Sequence, residues 1–331
     1  MKKKLFLFSF VFYFFGANAQ TIYDKTLINS TNIFVRAYSE KMLPGKTFHK
    51  MTVVPRDSTY ALIAGGSKGI GYAIAEALAK RGYNLLLIAR HMDGLLIAKN
   101  KIETAYPVHV ELLSFDLSKE ETAPAIAAWC TGKNIKLKML CNVAGLGGDI
   151  DYLSLSLDSL RYMVRLNVES AMAMSFTLLP LLEKNAPSFI LNVASMAGFA
   201  PIPSKNLYAA TKAAVLSFSY SLRYQLKEKN ISVSCLAPGP VYTKPSIEIE
   251  TKKQLGWFGD KMAVSPKRVG EIAVQKTLKG RMIIVPGTLA KLLSGVLRIL
   301  PKRFLTHIYG KAADRSKKKQ LYKIKPASAI R

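Results

Sequence analysis

The sequence predicts an α/β fold in which a single doubly wound parallel sheet carries helices on both faces. Short apolar runs alternate with segments of helical periodicity from Thr59 to Pro286, without a linker or an internal repeat between them. The 331 residues, of which 50% are hydrophobic, are enough for one sizeable core. We therefore predict one domain over residues 59–286, preceded by segments 1–19 and 20–58 and followed by an extension over 287–331.

The apolar runs are predicted to be strands because they are short, continuous and bounded by turn residues. The first run is followed by a glycine-rich turn and by a helix that Gly82 ends. The predicted strands span residues 60–63, 84–89, 109–114, 139–141, 189–193, 232–236 and 282–285.

The turn between the first strand and the first helix has the context that a dinucleotide-binding site requires. Its glycines permit a tight turn and a close approach of the backbone to a pyrophosphate, and the helix N-terminus supplies amide donors. The alternative is a glycine turn without a ligand. The predicted cofactor contacts in this turn are Gly65, Ser67, Lys68, Gly69, Ile70 and Gly71.

Two basic residues favour NADPH over NADH. The second strand ends in Arg90, where an acidic residue would bind a ribose 2′-hydroxyl, and Lys68 lies inside the turn. A charge-assisted hydrogen bond to a 2′-phosphate contributes about 1.5–3 kcal/mol. The alternative is ordinary surface charge on a basic protein. NADPH is the commoner reductant, so the sequence favours carbonyl reduction.

Tyr208 and Lys212 lie four positions apart, a spacing that places two side chains on one face of a helix. A neighbouring ammonium favours the phenolate, so we expect the pKa of Tyr208 to be lowered. Such a tyrosine is a usable proton donor and acceptor near neutral pH. The alternative is a helix with a half-buried tyrosine and a solvated lysine.

With these motifs in order, the chain resembles the classical short-chain dehydrogenase/reductase family between about residues 59 and 286. The turn matches TGxxxGxG with Ala64 in place of threonine, and residues 142–145 match NNAG with Val143 in place of the second asparagine. Ser195 lies thirteen residues before Tyr208, the usual spacing in the family, and residues 238–243 match PGxVxT. Both departures leave the proton-transfer groups in place.

The resemblance implies a Rossmann-type fold, a nicotinamide cofactor and a catalytic tetrad. Tyr208 would protonate the carbonyl oxygen, and Lys212 would lower the Tyr208 pKa and reach the nicotinamide ribose. Ser195 would donate a hydrogen bond to the same oxygen, or would only satisfy a turn at the end of its strand. Asn167 would hold a water that links Lys212 to solvent, or would only hydrogen-bond inside its helix. Further cofactor contacts implied by the resemblance are Asp116, Leu117, Asn142, Ala144, Gly145, Tyr208, Lys212, Pro238, Gly239, Val241 and Thr243.

The substrate side is predicted to be apolar. Residues 243–266 have the length and glycines of a lid in which Trp257 and Phe258 line a pocket, and residues 199–203 would form another wall. The alternative for residues 243–266 is a surface loop whose aromatic side chains pack on the body of the protein. These features suit a lipophilic ketone and resemble the branch with 3-ketoacyl-CoA reductases and 17β-hydroxysteroid dehydrogenases. The expected function is NADPH-dependent carbonyl reduction. The alternatives are an NAD(P)-dependent alcohol or hydroxysteroid dehydrogenase working in the oxidative direction, and a non-catalytic NADPH-binding protein.

The N-terminus predicts a signal peptide or a membrane anchor over residues 1–19. Three lysines after Met1 precede an apolar run and an A-x-A site at residues 17–19. The run is shorter than the roughly 20 residues of a spanning helix. Because NADPH is cytosolic, we expect membrane association with the catalytic domain on the cytoplasmic side. Export through the N-terminal signal is the alternative.

The C-terminal extension predicts contact with a membrane surface. Residues 289–300 are amphipathic and basic residues follow, and the net charge of the chain is +27. The alternative is a terminal helix that completes the core or a dimer interface. No nucleic-acid motif accompanies the charge, so we expect a small-molecule substrate, no nucleic-acid partner and a homo-oligomer.

The cysteines and histidines predict neither a disulfide framework nor a metal site. Cys141 and Cys235 lie in apolar predicted strands, which is typical of buried thiols, and Cys130 leaves the number odd. The four histidines are scattered along the chain, whereas a metal site needs ligands that converge.

Overall fold

The structure is a computed structural model that describes residues 59–147, 155–243, 249 and 259–324, with side chains up to residue 314. The predicted segments 1–19 and 20–58, and the lid residues Trp257 and Phe258, lie outside the described residues.

A seven-stranded, fully parallel sheet forms the centre of the fold, with the strand order β3-β2-β1-β4-β5-β6-β7. The predicted doubly wound α/β class is therefore confirmed, and the predicted strands agree with the observed ones to within two residues at each end. The strands are β1 Tyr60–Ala64, β2 Asn84–Ala89, β3 Val110–Ser114, β4 Leu137–Asn142, β5 Ser188–Val193, β6 Ile231–Leu236 and β7 Ile283–Ile284.

Strand β1 pairs with both β2 and β4, so the chain reverses its direction of travel across the sheet at this point. In open parallel sheets, ligands bind in the crevice outside the carboxyl ends of the strands where the order reverses. The topology therefore places a binding crevice beside the carboxyl ends of β1 and β4.

Helices cover both faces of the sheet. They are α1 Gly69–Ala79, α2 Met92–Ala105, α3 Thr122–Gly132, α4 Leu157–Val164, α5 Ser170–Thr177, α6 Leu179–Lys184, α7 Asn206–Gln225, α8 Pro266–Leu278, α9 Thr288–Ile299 and α10 Lys302–Ile324. A π-helical turn at Arg165–Glu169 joins α4 to α5, and 3₁₀ turns at Met196–Phe199 and Pro203–Lys205 precede α7.

The central strands β1 and β2 are continuous apolar runs because both of their faces are buried. In β2, Leu85 and Leu87 pack in a cluster with α1 and α8, whereas Leu86 and Ile88 pack in a second cluster with α3 and α5 on the opposite face. All four side chains have no exposed surface.

A third apolar cluster joins the C-terminal helices to the body of the protein. Leu297 of α9 and Leu305 of α10 are buried in it together with Met196 and Phe199. The alternative in which a terminal helix completes the core is thus confirmed for the inner face of this extension. Within the ranges described above, no helix has the length and apolarity needed to cross a bilayer.

Candidate active site

Tyr208 and Lys212 lie in the first two turns of α7, with both side chains directed toward the carboxyl end of β5. The Lys212 ammonium lies 5.8 Å from the centre of the Tyr208 ring. Its Nζ donates a hydrogen bond of 2.9 Å to the Val193 carbonyl, and the residue is only 4% exposed. The alternative of a solvated lysine is therefore wrong.

Burial of Lys212 changes its chemistry. Removal from water disfavours the charged form and lowers the pKa of Lys212 from 10.5 to about 8, although the neighbouring Cys235 opposes this effect. The ammonium therefore titrates within reach of neutral pH, unlike a surface lysine.

The pKa of Tyr208 is raised above its ordinary value of 10.0, so the expectation of a lowered value is wrong. Burial disfavours the phenolate, and this outweighs the hydrogen bond with Ser195 and the positive charge of Lys205, which both lower the pKa. The expectation failed because it considered the charge of Lys212 and not the burial of the phenol. A tyrosine of this kind is protonated at neutral pH and has a proton to give.

Ser195 lies two residues after the end of β5 and caps the 3₁₀ turn at Met196–Phe199. Its backbone is extended and its Oγ accepts a hydrogen bond of 3.2 Å from the Ala197 amide. The same side chain hydrogen-bonds Tyr208. Two hydroxyl groups thus meet at one point, where both can donate to a single oxygen atom.

Asn167 lies in the π-helical turn and is 2% exposed. Its Oδ1 accepts a hydrogen bond of 2.7 Å from the Leu146 amide, and its Nδ2 donates to the Leu146 carbonyl at 2.8 Å and to Thr211 Oγ1 at 3.1 Å. Thr211 in turn donates to the Tyr208 carbonyl at 2.8 Å. Asn167 therefore bonds outside its own helix and ties the loop after β4 to the helix that carries Tyr208.

Thr211 and Leu146 belong to this site although sequence reasoning did not single them out. Thr211 was detectable, since it is a small polar residue next to Lys212 on the helix of Tyr208. Leu146 takes part only through its backbone, which leaves no signal in the sequence.

The glycine turn lies at the carboxyl end of β1. The amides of Gly65 and Gly66 donate to the Ile88 carbonyl at 2.8 and 3.1 Å, and a side chain at Gly71 would lie 1.9 Å from the Gly65 carbonyl oxygen. Helix α1 begins here with Lys68 at its N-cap, whose side chain has no oxygen to cap the first amides. The turn thus offers close backbone approach and free helical donors, which is the arrangement that binds a pyrophosphate.

The predicted 2′-phosphate residues lie at the same edge of the sheet. Arg90 follows β2, and its Nη1 donates a hydrogen bond of 2.7 Å to the Tyr162 hydroxyl. Tyr162 is a site neighbour that the sequence could not reveal, because it lies 72 residues away on α4. Lys68 is exposed beside the turn.

The predicted adenine residues follow β3. Asp116 Oδ1 accepts hydrogen bonds from the Ser118 amide at 3.0 Å and from the Ser118 hydroxyl at 2.8 Å, which fixes the turn. Leu117 is 7% exposed beside it.

The loop after β4 connects the glycine turn to the tetrad. The Ala144 amide donates to the Ala64 carbonyl at 2.8 Å, directly beside the turn. A side chain at Gly145 would lie 3.2 Å from both Asn167 Oδ1 and Lys212 Nζ, so Gly145 is in contact with the tetrad.

Asn142 differs from the other predicted cofactor residues because its side chain is used in the interior. Its Nδ2 donates to Asn192 Oδ1 at 2.9 Å, to Ser175 Oγ at 3.1 Å and to the Ala171 carbonyl at 3.2 Å. The prediction that Asn142 contacts the cofactor therefore rests on its backbone alone.

Residues 238–243 follow β6 and close the site on the other side. The Pro238 carbonyl accepts a hydrogen bond of 3.0 Å from the Met196 amide, and Val241 is 6% exposed. A side chain at Gly69 would lie 3.3 Å from the Thr243 methyl group, so this segment reaches the glycine turn, whereas a side chain at Gly239 would lie 3.3 Å from the Met196 sulfur. The predicted residues thus gather at one edge of the sheet.

Comparison with known proteins agrees with this arrangement. A family model described as short chain dehydrogenase matches residues 59–254, which is more than half of the chain. The very-long-chain 3-oxoacyl-CoA reductase of Rattus norvegicus is 30% identical over 236 residues, covering 70% of this chain and 73% of that protein. Hydroxysteroid dehydrogenase-like protein 1 of Gallus gallus is 30% identical over 259 residues, covering 77% of this chain and 76% of that protein.

Among solved structures, the L-sorbose reductase of Gluconobacter frateurii complexed with NADPH and L-sorbose is similar. It superposes with a TM-score of 0.62 and 25% identity over 70% of this chain and 97% of that chain. With the family model and the curated relatives, the fold and the site point to one assignment. The chain belongs to the short chain dehydrogenase family, near the branch of 3-oxoacyl-CoA reductases and hydroxysteroid dehydrogenases, and is an NAD(P)-dependent oxidoreductase acting on CH–OH or carbonyl groups.

Proposed function

We propose that this protein is an NADPH-dependent carbonyl reductase that acts on a lipophilic ketone, with Tyr208 as the general acid. The observation that carries the proposal is the hydrogen-bonded pair of Ser195 and Tyr208, in which burial raises the pKa of the phenol. In the reductive direction the oxygen of the substrate gains charge and needs a proton. Ser195 stabilises the developing charge by a hydrogen bond and Tyr208 delivers the proton.

Lys212 and Asn167 support this step without touching the carbonyl. The Lys212 ammonium holds positive charge beside the Tyr208 ring and favours the phenolate that remains after proton transfer. Asn167 connects the loop at Leu146 to α7 through Thr211, which stabilises the position of the helix that carries Tyr208 relative to that loop.

The residues at the carboxyl edge of the sheet fit a dinucleotide. The free amides of α1 and the close approach at Gly71 suit a pyrophosphate, and Arg90 with Lys68 suits a 2′-phosphate. The nicotinamide of the cofactor supplies the hydride when bound. The preference for NADPH predicts that Arg90→Ala weakens NADPH binding by about tenfold while NADH binding changes little, as a lost charge-assisted hydrogen bond implies. An equal loss for both cofactors would remove Arg90 from this role.

The substrate class is proposed from the pocket wall and from the relatives. Residues 199–203 join Ser195 to α7 and are mainly apolar, and Phe199 and Ala200 belong to a buried cluster. The relatives on the 3-oxoacyl-CoA reductase branch support a ketone on a long acyl thioester. The relative named hydroxysteroid dehydrogenase-like supports a steroid as the second candidate, including its oxidation with NAD(P).

The experiment that tests the proposal is a turnover screen with NADPH and a panel of carbonyl compounds. The panel contains 3-oxoacyl thioesters of increasing chain length, steroid ketones, sugars and quinones, and the alcohols are assayed with NADP⁺. We expect turnover to rise with acyl chain length. Stoichiometric NADPH binding without turnover on any compound would favour a non-catalytic NADPH-binding protein instead.

We further propose that the protein associates with a membrane surface, with its catalytic domain on the cytoplasmic side. The outer faces of α9 and α10 expose Leu292, Val296, Ile299, Phe304 and Ile308. Residues 272–331 contain fifteen lysines and arginines and a single acidic residue, Asp314. Apolar side chains beside such a charge suit anionic lipid headgroups. Export remains the alternative, since residues 1–19 also suit a secretory signal.

A homo-oligomer is proposed from exposed aromatic residues away from the crevice. Phe176 on α5 and Tyr224 on α7 are 66% and 84% exposed, and Tyr220 lies one turn before Tyr224. Exposed aromatic side chains of this kind are enriched in interfaces. Light scattering of the purified protein tests this proposal, and a monomer at micromolar concentration would contradict it.

A further inference from the structure

The segment between Ser195 and Tyr208 sets the distance between two catalytic groups. Residues 196–207, here called the linking segment, contain the 3₁₀ turns Met196–Phe199 and Pro203–Lys205. Because Ser195 and Tyr208 must reach the same substrate oxygen, the conformation of the linking segment decides whether they do so together.

The linking segment is held by residues about one hundred positions later in the chain. Lys302 Nζ donates a hydrogen bond of 2.6 Å to the Phe199 carbonyl. The Arg298 guanidinium lies 4.4 Å from the centre of the Phe199 ring, within the range of a cation–π interaction. Phe199 is only 7% exposed, so both cations act on a residue with a fixed position.

Apolar packing supports the same contact. Leu297 and Leu305 flank Lys302 in sequence and are 5% and 2% exposed in the cluster that contains Met196 and Phe199. Helix α10 also packs against the second turn, Pro203–Lys205. The C-terminal helices therefore contact both turns of the linking segment.

The contact reaches Ser195 through the first turn. Lys302 binds the carbonyl at the C-terminal end of this turn, and Ser195 caps its N-terminal end. The Ala197 amide donates to Ser195 Oγ at 3.2 Å and the Gly198 amide donates to the Ser195 carbonyl at 3.0 Å. A turn that is free at its C-terminal end would not keep the Ser195 hydroxyl in one orientation.

We propose that Lys302 and Arg298 are positioning residues, which hold the linking segment so that Ser195 and Tyr208 meet at one substrate oxygen. The inference rests on the proposed carbonyl reduction for its kinetic test and on the fold alone for its exchange test. The C-terminal extension would then help to orient Ser195 toward the substrate oxygen, in addition to contributing apolar side chains to the core.

The kinetic test compares Lys302→Met with Lys302→Arg and with Lys101→Met, which removes an exposed lysine on α2 as a matched control. We expect Lys302→Met to lower kcat about tenfold, as a small displacement of a reacting group does, and to leave the NADPH Kd unchanged. Lys302→Arg keeps the donor and should recover kcat to within about threefold of wild type. Loss of kcat that Lys302→Arg does not recover, or that Lys101→Met shares, would contradict the proposal.

A double-mutant cycle then separates positioning from general destabilisation. If Lys302 acts through Ser195, the effect of Lys302→Met on kcat should fall below about twofold in the Ser195→Ala background. A full tenfold effect in both backgrounds would overturn the proposed route.

Amide hydrogen exchange provides a test that does not depend on turnover. In Lys302→Met, the Ala197 and Gly198 amides should exchange about tenfold faster, while the α2 amides keep their rates. Unchanged exchange at both amides would overturn the proposal even if the protein reduced a ketone. If wild type reduced no compound of the panel, the proposed function would fail, and the exchange rates would still decide the positioning role.

Discussion

Lys212 is a buried cation, and its burial costs folding free energy. The decrease of its pKa from 10.5 to about 8 corresponds to roughly 3 kcal/mol. The unfolded chain binds more protons than the folded chain between these two values. The free energy of unfolding therefore rises as pH increases from about 8 to 10.5. Below about pH 8, Lys212 is charged in both states, and the folded chain carries the whole cost of burying that charge.

The first prediction concerns Lys212→Met, which removes the buried charge and keeps the aliphatic stem. We expect the free energy of unfolding at pH 7 to rise by about 1–2 kcal/mol, because the relief from burial exceeds the roughly 1 kcal/mol of the lost bond to Val193. Urea denaturation at neutral pH and near pH 10 measures this gain, which should shrink at the higher pH. A lower free energy of unfolding for Lys212→Met at pH 7 would show that the buried charge of Lys212 does not destabilise the folded protein.

The second prediction concerns the pH profile of reduction. Tyr208 stays protonated because burial raises its pKa, so the proton of Lys212 is the first to be lost as pH rises. We expect kcat to be constant below pH 8 and to fall above it, near the Lys212 pKa of about 8. Steady-state kinetics between about pH 6 and pH 10 provide the measurement. A fall of kcat below pH 7 would require a different titrating group.

The sequence predicted which catalytic residues lie close together, but it did not predict the direction of each pKa shift. The spacing of Tyr208 and Lys212 was sufficient to place them together on α7. The direction of the Tyr208 pKa was wrong because it depends on burial, which arises from packing between elements distant in sequence. The interior hydrogen bonds of Asn142 have the same origin.

Helices α1 and α8 pack so closely that there is no room for an added methyl group between them at Gly270. A side chain at Gly270 of α8 would lie 2.3 Å from the carbonyl oxygen of Ala73 in α1. Because α1 begins at the glycine turn, this contact also fixes the turn relative to the sheet.

The third prediction compares Gly270→Ala with Gly295→Ala, which lies in α9 and has no atom within 4 Å of its added carbon among the described residues. Gly270→Ala should lower the free energy of unfolding by about 1–3 kcal/mol or more through overpacking. Gly295→Ala should raise it by about 0.5–1 kcal/mol, because alanine is the better helix former. Urea denaturation of both variants gives the values. Equal effects would show that close packing at Gly270 does not govern stability.

The elements themselves were largely predictable, since strands buried on both faces are continuous apolar runs and Gly82 marks the end of the first helix. The π-helical turn at Arg165–Glu169 could not be predicted, because the sequence does not distinguish it from the α-helices on either side. The place of α9 and α10 also stayed open, because an amphipathic pattern does not say whether its apolar face meets a core or a membrane. The structure buries Leu297 in the third apolar cluster and leaves Ile299 exposed.

The molecule has a net charge of +27, and its C-terminal residues are strongly basic, which favours binding to anionic membranes. The fourth prediction is that the full chain binds vesicles containing phosphatidylserine more tightly than vesicles of phosphatidylcholine alone. Added salt should weaken this binding, because it screens charges beyond about 10 Å at 0.1 M.

The double variant Leu292→Glu/Ile299→Glu tests the surface that is responsible. We expect binding to anionic vesicles to fall at least about tenfold, since each side chain loses the free energy of apolar burial and gains a repelled charge. Ile97→Glu, on an exposed position of α2, is the matched control and should bind like wild type. Equal binding by all three proteins would exclude this face as the membrane contact.

We propose Tyr208 as the proton donor of a carbonyl reductase, and the variant Tyr208→Phe tests this role because it lacks only the phenolic hydroxyl. The measurement is the rate of NADPH oxidation with a 3-oxoacyl thioester, together with the NADPH Kd by fluorescence. We expect kcat to fall by about 10²–10⁴-fold while NADPH still binds, because the variant loses only the hydroxyl. Turnover by Tyr208→Phe within about tenfold of wild type would rule out Tyr208 as the proton donor.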